Sequence, residues 1–338
     1  MRIPAAWHHV GYAFLMSIAK ESALHLLRQS TVIAGPTGSG KTAMAIGLAL
    51  QTGAEIICVD SMTLYRGFNI GTAKPTPSEL ALVPHHLINL LDPDEDANAG
   101  WWLDTAREVL QSIFSRGKKA ILVGGTALYF QLLFQGMAEA PPKSDQVRKE
   151  LEDLVAGIGS VALHQRLASV DPAAAARIHP NDARRIIRAL EVFQLSGKGI
   201  SQFQTQWDRN LNETALKPVG DERWVWLSWP RELLRERIAK RTREMVAAGW
   251  LEEVAGLVNK FGTWGKTAGQ AVGYTVLRQV LGGKLKMEDA ERKITEGTCQ
   301  VAKRQETWFR SMRMLEPIRC HEKHSPMECL GGNWLRKV

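Results

Sequence analysis

The 338-residue chain has four cysteines, Cys58, Cys299, Cys320 and Cys329, and only the last two lie near one another. No CxxC pair occurs, so a disulfide-stapled secreted module is excluded and a reducing cytoplasm is the expected compartment. Cys320, His321, His324 and Cys329 match no zinc spacing and read as part of a variable tail. No stretch approaches the ~20 apolar residues of a membrane span, so no membrane partner is expected. The apolar run Val10 to Ile18 is followed by Lys20 and Glu21, not by a small-residue cleavage site. Residues 1–30 therefore read as an N-terminal extension, with Met16 a candidate start. Acidic residues are the scarcer charge, leaving a net charge of +8. The basic excess gathers in residues 231–313 and favours a polyanionic partner.

What is present is first a phosphate-binding pattern, Gly35-Pro36-Thr37-Gly38-Ser39-Gly40-Lys41-Thr42. An apolar strand, Thr31 to Ala34, leads into it, and a buried helix, Ala43 to Gln51, leads out. Glycines in such a loop turn backbone N–H groups inward around an anion, and the helix N-terminus adds partial positive charge. Lys41 pairs with an outer phosphate in this pattern, and the Thr42 hydroxyl ligates Mg2+. A second apolar strand, Ala54 to Val59, ends at Asp60-Ser61 and should bring Asp60 to the same crevice of a parallel sheet. Asp60 reads as a working carboxylate, an N-cap or an Mg2+ ligand.

Tyr65 to Pro77 reads as a long loop over the site, with Lys74 its anion contact, and Pro84 to Asn89 as a short strand entrance with structural histidines. A helix follows over Ala99 to Arg116, then a strand over Lys119 to Val123 that closes at Gly124-Gly125-Thr126. Two glycines and a hydroxyl stand where a nucleotide hydrolase might carry an acid. Thr126 is a phosphate donor or a cap for the helix Ala127 to Phe134. After Pro141-Pro142 the chain reads as helices only, at Val147 to Val155, Pro172 to Ile178 and Asn181 to Leu195. Arg184 and Arg188 share one face of the last. Trp207 lies on a return segment, Ser201 to Glu213, and Trp224 to Trp229 rejoins the sheet as a strand. Helices are expected at Arg231 to Ala247, Gly249 to Asn259, Val272 to Leu281 and Met287 to Phe309. No pattern is legible beyond about residue 317. The expected fold is α/β: a P-loop NTPase-like parallel sheet flanked by helices, with an all-helical insertion. Its domains are a core of 31–140 and 211–316, an all-helical insertion of 141–210, and a tail of 317–338.

The phosphate loop, Val59-Asp60-Ser61 with Tyr65, Ile70 to Pro75, and Val123 to Thr126 with Tyr129 together resemble the tRNA dimethylallyltransferases. So do His179-Pro180-Asn181-Asp182, Arg188 to Val192, Val272-Gly273-Tyr274 and Ala302-Lys303-Arg304-Gln305. The series runs in the family's order from about residue 31 to 316, and the short C-terminus resembles the bacterial type. The resemblance implies transfer of a dimethylallyl group from dimethylallyl diphosphate to the N6 amine of the adenosine 3′-adjacent to the anticodon.

On that resemblance Asp60 is the catalytic carboxylate, assisted by Thr126 and Lys41. Gly35 to Thr42 and Arg241 bind the diphosphate, with Mg2+ as cofactor and Thr42 as its ligand. Contacts to the tRNA anticodon stem-loop fall on Asp60, Ser61, Met62, Thr63, Thr126, Arg148, Arg184, Arg185, Ile186, Ile187, Arg188, Gln270, Gly273, Tyr274, Lys303 and Arg304. Thr275 occupies a place usually basic in the family. A monomer is expected. Three alternatives stand beside this reading: an adenylate isopentenyltransferase acting on free nucleotides, a P-loop small-molecule kinase and a non-enzymatic RNA-binding module. The helical segment and the basic late segment favour tRNA over a free nucleotide.

Overall fold

The computed structural model describes residues 23–204 and 216–321. Met16, Trp207, His324 and Cys329 lie outside the described residues. The described chain clusters into two compact units, Gln135–Glu213 and the remainder.

In the larger unit, six parallel strands form one sheet: β1 (Thr31–Ala34), β2 (Glu55–Val59), β3 (His85–His86), β4 (Ala120–Gly124), β5 (Trp224–Ser228) and β6 (Glu316–Arg319), in the order β3-β2-β4-β1-β5-β6. All residues of β1, β2 and β4 are buried, which is why these strands read as mainly apolar runs. The final strand, β6, escaped the sequence reading. It is an edge strand, mostly exposed, with Pro317 in its middle, and it offers no apolar run.

Helices α1 (Lys41–Thr52), α2 (Pro77–Leu82) and α3 (Ala99–Ser115) connect the first four strands, and α4 (Ala127–Gln135) follows β4. Gly40 at φ 87° and Gly53 at φ 66° bracket α1, both in the left-handed region where glycine carries no penalty. The short α2 was not expected; Thr76 and Glu79 close a reciprocal capping box around Pro77. Asn98 caps α3, which buries Trp102, Leu103, Ala106, Leu110 and Ile113.

The smaller unit contains α5 (Asp145–Ile158), α6 (Ser160–Val170), α7 (Pro172–Arg177), α8 (Ala183–Ser196) and α9 (Ile200–Phe203). Helix α6 had no separate sequence signal. Ser144, Asp171 and Asp182 cap α5, α7 and α8 through their side chains. Leu151, Leu163, Leu167, Ile186, Ile187 and Leu190 form part of its core.

The larger unit resumes with β5, α10 (Arg231–Ala247), α11 (Trp250–Phe261), α12 (Tyr274–Leu281) and α13 (Met287–Ser311). The helix expected from Val272 starts only at Tyr274, because Gly273 sits at φ 92° and a 3-10 turn, Ala268–Gln270, precedes it. A second apolar cluster joins Tyr65, Phe68, Trp250, Val254, Leu257, Tyr274 and Leu277. The segment after Tyr65, read as a loop over the site, is thus partly core. Phe68 stacks on Tyr274 with centroids 4.1 Å apart. A Cβ at Gly71 or Gly273 would overlap the Trp250 ring, so both positions admit only glycine without rearrangement.

Candidate active site at the carboxyl ends of the strands

Three adjacent strands, β2, β4 and β1, deliver Asp60, Gly124-Gly125-Thr126 and the phosphate loop to one end of the sheet. Ligands in open parallel sheets bind there, beyond the carboxyl ends of the strands. The glycines after β4 have a steric cause. Gly124 pairs with Val59, and a Cβ on it would overlap the Val59 carbonyl, so an acidic side chain has no room at that strand end.

Three side chains outside the phosphate loop donate hydrogen bonds to it. Arg241 Nη2 donates to Thr37 Oγ1 at 2.6 Å, Arg237 Nε to the Gly38 carbonyl at 2.9 Å, and Trp229 Nε1 to the Ser39 carbonyl at 3.0 Å. Arg237 also lies 4.3 Å over the Trp229 ring, coupling two of these anchors. Ser39 itself is buried, with its hydroxyl unpartnered. Pro36 is buried and Gly35 packs against Leu227, so these two shape the loop. The first N–H groups of α1, at Lys41 and Thr42, have no intrahelical partner.

Lys41 Nζ approaches the Pro36 carbonyl at 3.4 Å, a long contact that leaves its donors available. Its surface is partly accessible, but the loop encloses the ammonium and lowers its pKa to about 8, with the Arg241 charge adding to that and the Asp60 carboxylate opposing it. Arg241 is likewise lowered, first by burial and then by Arg237. These two crowded cations and one carboxylate form a site poised for an anion.

Asp60 Oδ1 accepts from Met62 N at 2.9 Å, and Thr63 Oγ1 donates to the Asp60 carbonyl at 3.2 Å. One carboxylate oxygen is therefore anchored by the backbone. Thr126 Oγ1 accepts from Ser61 N at 3.0 Å, so its side chain turns to the Asp60 turn and not to the first turn of α4. The Tyr129 phenol is held protonated by burial, and next by the charge of Asp60. It stacks on Trp102 at 3.9 Å.

Several expected contacts are placed differently. Lys74 is buried, and its Nζ donates to Tyr65 O at 2.6 Å, Asn89 Oδ1 at 2.6 Å and Asn69 Oδ1 at 3.2 Å. It ties down the turn after Asp60 instead of meeting an anion. Tyr274 is fully buried, its hydroxyl donating to Glu253 at 2.6 Å and accepting from Gly71 N, so its side chain cannot reach RNA. Gly273 is buried beside the Trp250 ring. Ile186 and Ile187 are core residues. Arg148 and Arg188 each bond a fully buried Glu191 at 2.9 Å, which makes them structural partners first. Exposed Arg184 and Arg185 remain as surface cations of α8, Arg185 with a 3.5 Å pairing to Asp182. Lys303 and Arg304 are exposed and line an open groove with Gln300, Thr307 and Trp308. Gln270 and Thr275 are exposed as well.

One site residue had no signal of its own in the sequence. Gln305, quoted above only as part of a motif, accepts from Thr37 N at 2.8 Å and donates to the Gly125 carbonyl at 2.9 Å. Among the described residues no helix is long and apolar enough to cross a membrane.

Residues 63–312 match the model of the IPP transferase family, and residues 28–88 that of isopentenyl transferase. The chain is 44% identical over 279 residues to the tRNA dimethylallyltransferase of Geobacter sulfurreducens, spanning 82% of this chain and 88% of that one. It is 43% identical over 280 residues to the enzyme of the same name from Syntrophobacter fumaroxidans, spanning 83% and 80%. Among solved structures it is similar to the tRNA isopentenylpyrophosphate transferase of Bacillus halodurans, at 32% identity and a TM-score of 0.63 over 91% of this chain and 97% of that one. It is also similar to a eukaryotic dimethylallyltransferase acting on tRNA, at 26% identity and a TM-score of 0.69 over 87% and 74%.

Proposed function

The chain belongs to the IPP transferase family, and on that premise we propose that its phosphate loop holds dimethylallyl diphosphate while Asp60 faces an adenine of tRNA. The activity is tRNA dimethylallyl transfer, a prenyl transfer with diphosphate as leaving group. The acceptor is the N6 amine of the adenosine 3′-adjacent to the anticodon. The observation that carries the reading is that Lys41, just past β1, and Arg241, on α10, share one charge environment with the backbone-anchored carboxylate of Asp60, just past β2.

An exocyclic amine is a weak nucleophile because its lone pair is delocalised into the ring. Asp60 Oδ2 accepts a hydrogen bond from N6, orienting it toward the allylic carbon. The N6 lone pair forms the new C–N bond as the allylic C–O bond breaks, and that electron pair departs on the diphosphate. The proton lost from nitrogen goes to Asp60. Lys41, Arg241 and the N–H groups at the start of α1 stabilise the charge that builds on the leaving group. Thr126 turns its hydroxyl from Ser61 Oγ, a weak 3.4 Å contact, to the bridging oxygen.

Family membership implies a divalent metal, and Mg2+ is proposed. Among the described residues no cluster of three or more His, Cys, Asp or Glu side chains could hold a metal. The available donor set, the Thr42 hydroxyl beside a diphosphate, suits an ion that keeps waters and takes its remaining oxygens from the substrate. Bound there, Mg2+ would neutralise diphosphate charge.

The target base leaves its stack to reach Asp60, at a cost of a few kcal/mol. Arg184, Arg185, Lys303 and Arg304 are the exposed cations assigned to the RNA backbone. The helical unit is assigned to the anticodon stem-loop, the protein acts as a monomer, and its proposed compartment is the cytoplasm.

Labelled dimethylallyl transfer, with Mg2+, is the test, using an anticodon stem-loop and AMP, ADP and ATP as rival acceptors. Label in the stem-loop alone is expected. Label on the free nucleotides would instead establish the adenylate reading, which no observation here favours.

A further inference from the structure

Gln305 lies 268 residues from Thr37 in the chain, yet its amide plane closes the gap between the phosphate loop and the end of β4. Its Oε1 accepts from Thr37 N and its Nε2 donates to the Gly125 carbonyl. A primary amide is a neutral side-chain group that accepts and donates at once from one rigid plane. Space is cut to fit it: a Cβ on Gly125 would stand 2.6 Å from Gln305 Nε2. Each end of the bridge is one step from the chemistry. Thr37 carries the hydroxyl that Arg241 holds, and Gly125 precedes Thr126, whose hydroxyl is bonded to the turn bearing Asp60.

We propose that Gln305 is a positioning residue that registers the diphosphate side of the site against the proton-transfer side. It does so by fastening Thr37 to Gly125, and it removes the Thr37 N–H from the donors offered to the anion. The loop is thereby fixed in its anion-binding shape before any ligand arrives. The proposal rests on the dimethylallyl-transfer reading for the identity of the anion, but the bridge itself does not depend on it.

The test is a cycle of four proteins: wild type, Gln305→Ala, Gly125→Ala and the double variant. Gln305→Ala is expected to lower kcat/KM for dimethylallyl diphosphate by roughly ten- to a hundredfold, as for a displaced reacting group, with stem-loop affinity unchanged. Gly125→Ala alone should cost a similar factor, because its methyl group displaces Gln305. In the Gln305→Ala background the same methyl should cost less than about twofold, the limit of independent sites. Equal cost of the methyl in both backgrounds would overturn the bridge, as would wild-type donor kinetics in Gln305→Ala.

Gln305→Glu guards against misfolding. It keeps the size and the Thr37 contact but sets an acceptor against the Gly125 carbonyl. A loss of about tenfold or more at unchanged melting temperature is expected, whereas wild-type kinetics would count against the proposal. Inorganic diphosphate affinity, measured calorimetrically across the same four proteins, reads the coupling without any transfer step. A wild type that binds diphosphate with the coupling intact but transfers no label would overturn the proposed function and leave the bridge standing.

Discussion

The Arg241 guanidinium reaches the Thr37 hydroxyl at 2.6 Å, so the cation assigned to the leaving group is already docked on the loop that binds it. Its position costs solvation, which lowers its pKa, and a diphosphate would offset that cost. Arg241→Ala is expected to lower kcat by about 100- to 1,000-fold, in the range for loss of one transition-state donor. Arg241→Lys should rescue little, because an ammonium lacks the planar fork. Steady-state kinetics with varied donor would check both.

Lys41 gives the donor site a pH dependence. With its pKa lowered to about 8, the ligand-free side chain is charged below that pH and neutral above it. The last ionisation of a phosphate group has its midpoint at about pH 6, so the charge of a prenyl diphosphate is nearly constant around pH 8. Bound anion restores the Lys41 proton. Donor affinity should therefore fall as pH rises through 8, and binding above pH 8 should take up a proton. Calorimetry in buffers of different ionisation enthalpy would detect the uptake, and Lys41→Met should abolish it.

Asp60→Asn retains the shape and an oxygen to accept from Met62 N, but it removes the proton acceptor. A loss of about 100- to 10,000-fold in kcat is expected, with donor and stem-loop affinities nearly unchanged. Single-turnover transfer beside equilibrium binding would separate these terms. Loss of donor affinity alone would show that Asp60 serves the diphosphate.

Two arginines on one helix should behave differently. Arg188 bonds the fully buried Glu191 and the Pro141 carbonyl, so Arg188→Ala should destabilise the helical unit by about 2 kcal/mol. Exposed Arg184 should leave stability unchanged when replaced by Ala, yet weaken stem-loop binding and lower its salt dependence by about one charge. Urea unfolding and binding at two salt concentrations would read the two effects.

The central strands were legible because β1, β2 and β4 are buried on both faces and read as apolar runs, and because the phosphate loop is a local pattern. Asp60 followed from the sheet, since strand ends face the ligand. Less legible were side chains whose partners lie far away in sequence. Lys74 looked like an anion contact because a lysine in a Gly/Pro-rich stretch carries no mark of the two asparagines that enclose it. Tyr274 sits in a motif quoted for tRNA binding, and only its contacts with Glu253 and Gly71 reveal a buried strut. The resemblance assigns the whole run Arg184 to Arg188 to tRNA, but helical periodicity turns Ile186 and Ile187 into the core. Strand β6 was missed because an exposed edge demands no hydrophobic pattern.

The place of β1 between β4 and β5 has a consequence for synthesis. Val32 pairs with Leu122 on one side and with Trp224 on the other, so about a hundred residues separate its two partners. A nascent chain that has emerged only as far as the helical unit leaves one side of β1 with unpaired N–H and C=O groups, a template for aggregation. The Gln305 anchor emerges later still. The phosphate loop therefore reaches its finished form among the last events on the ribosome, and chains arrested before α13 should be held by chaperones and bind no prenyl donor.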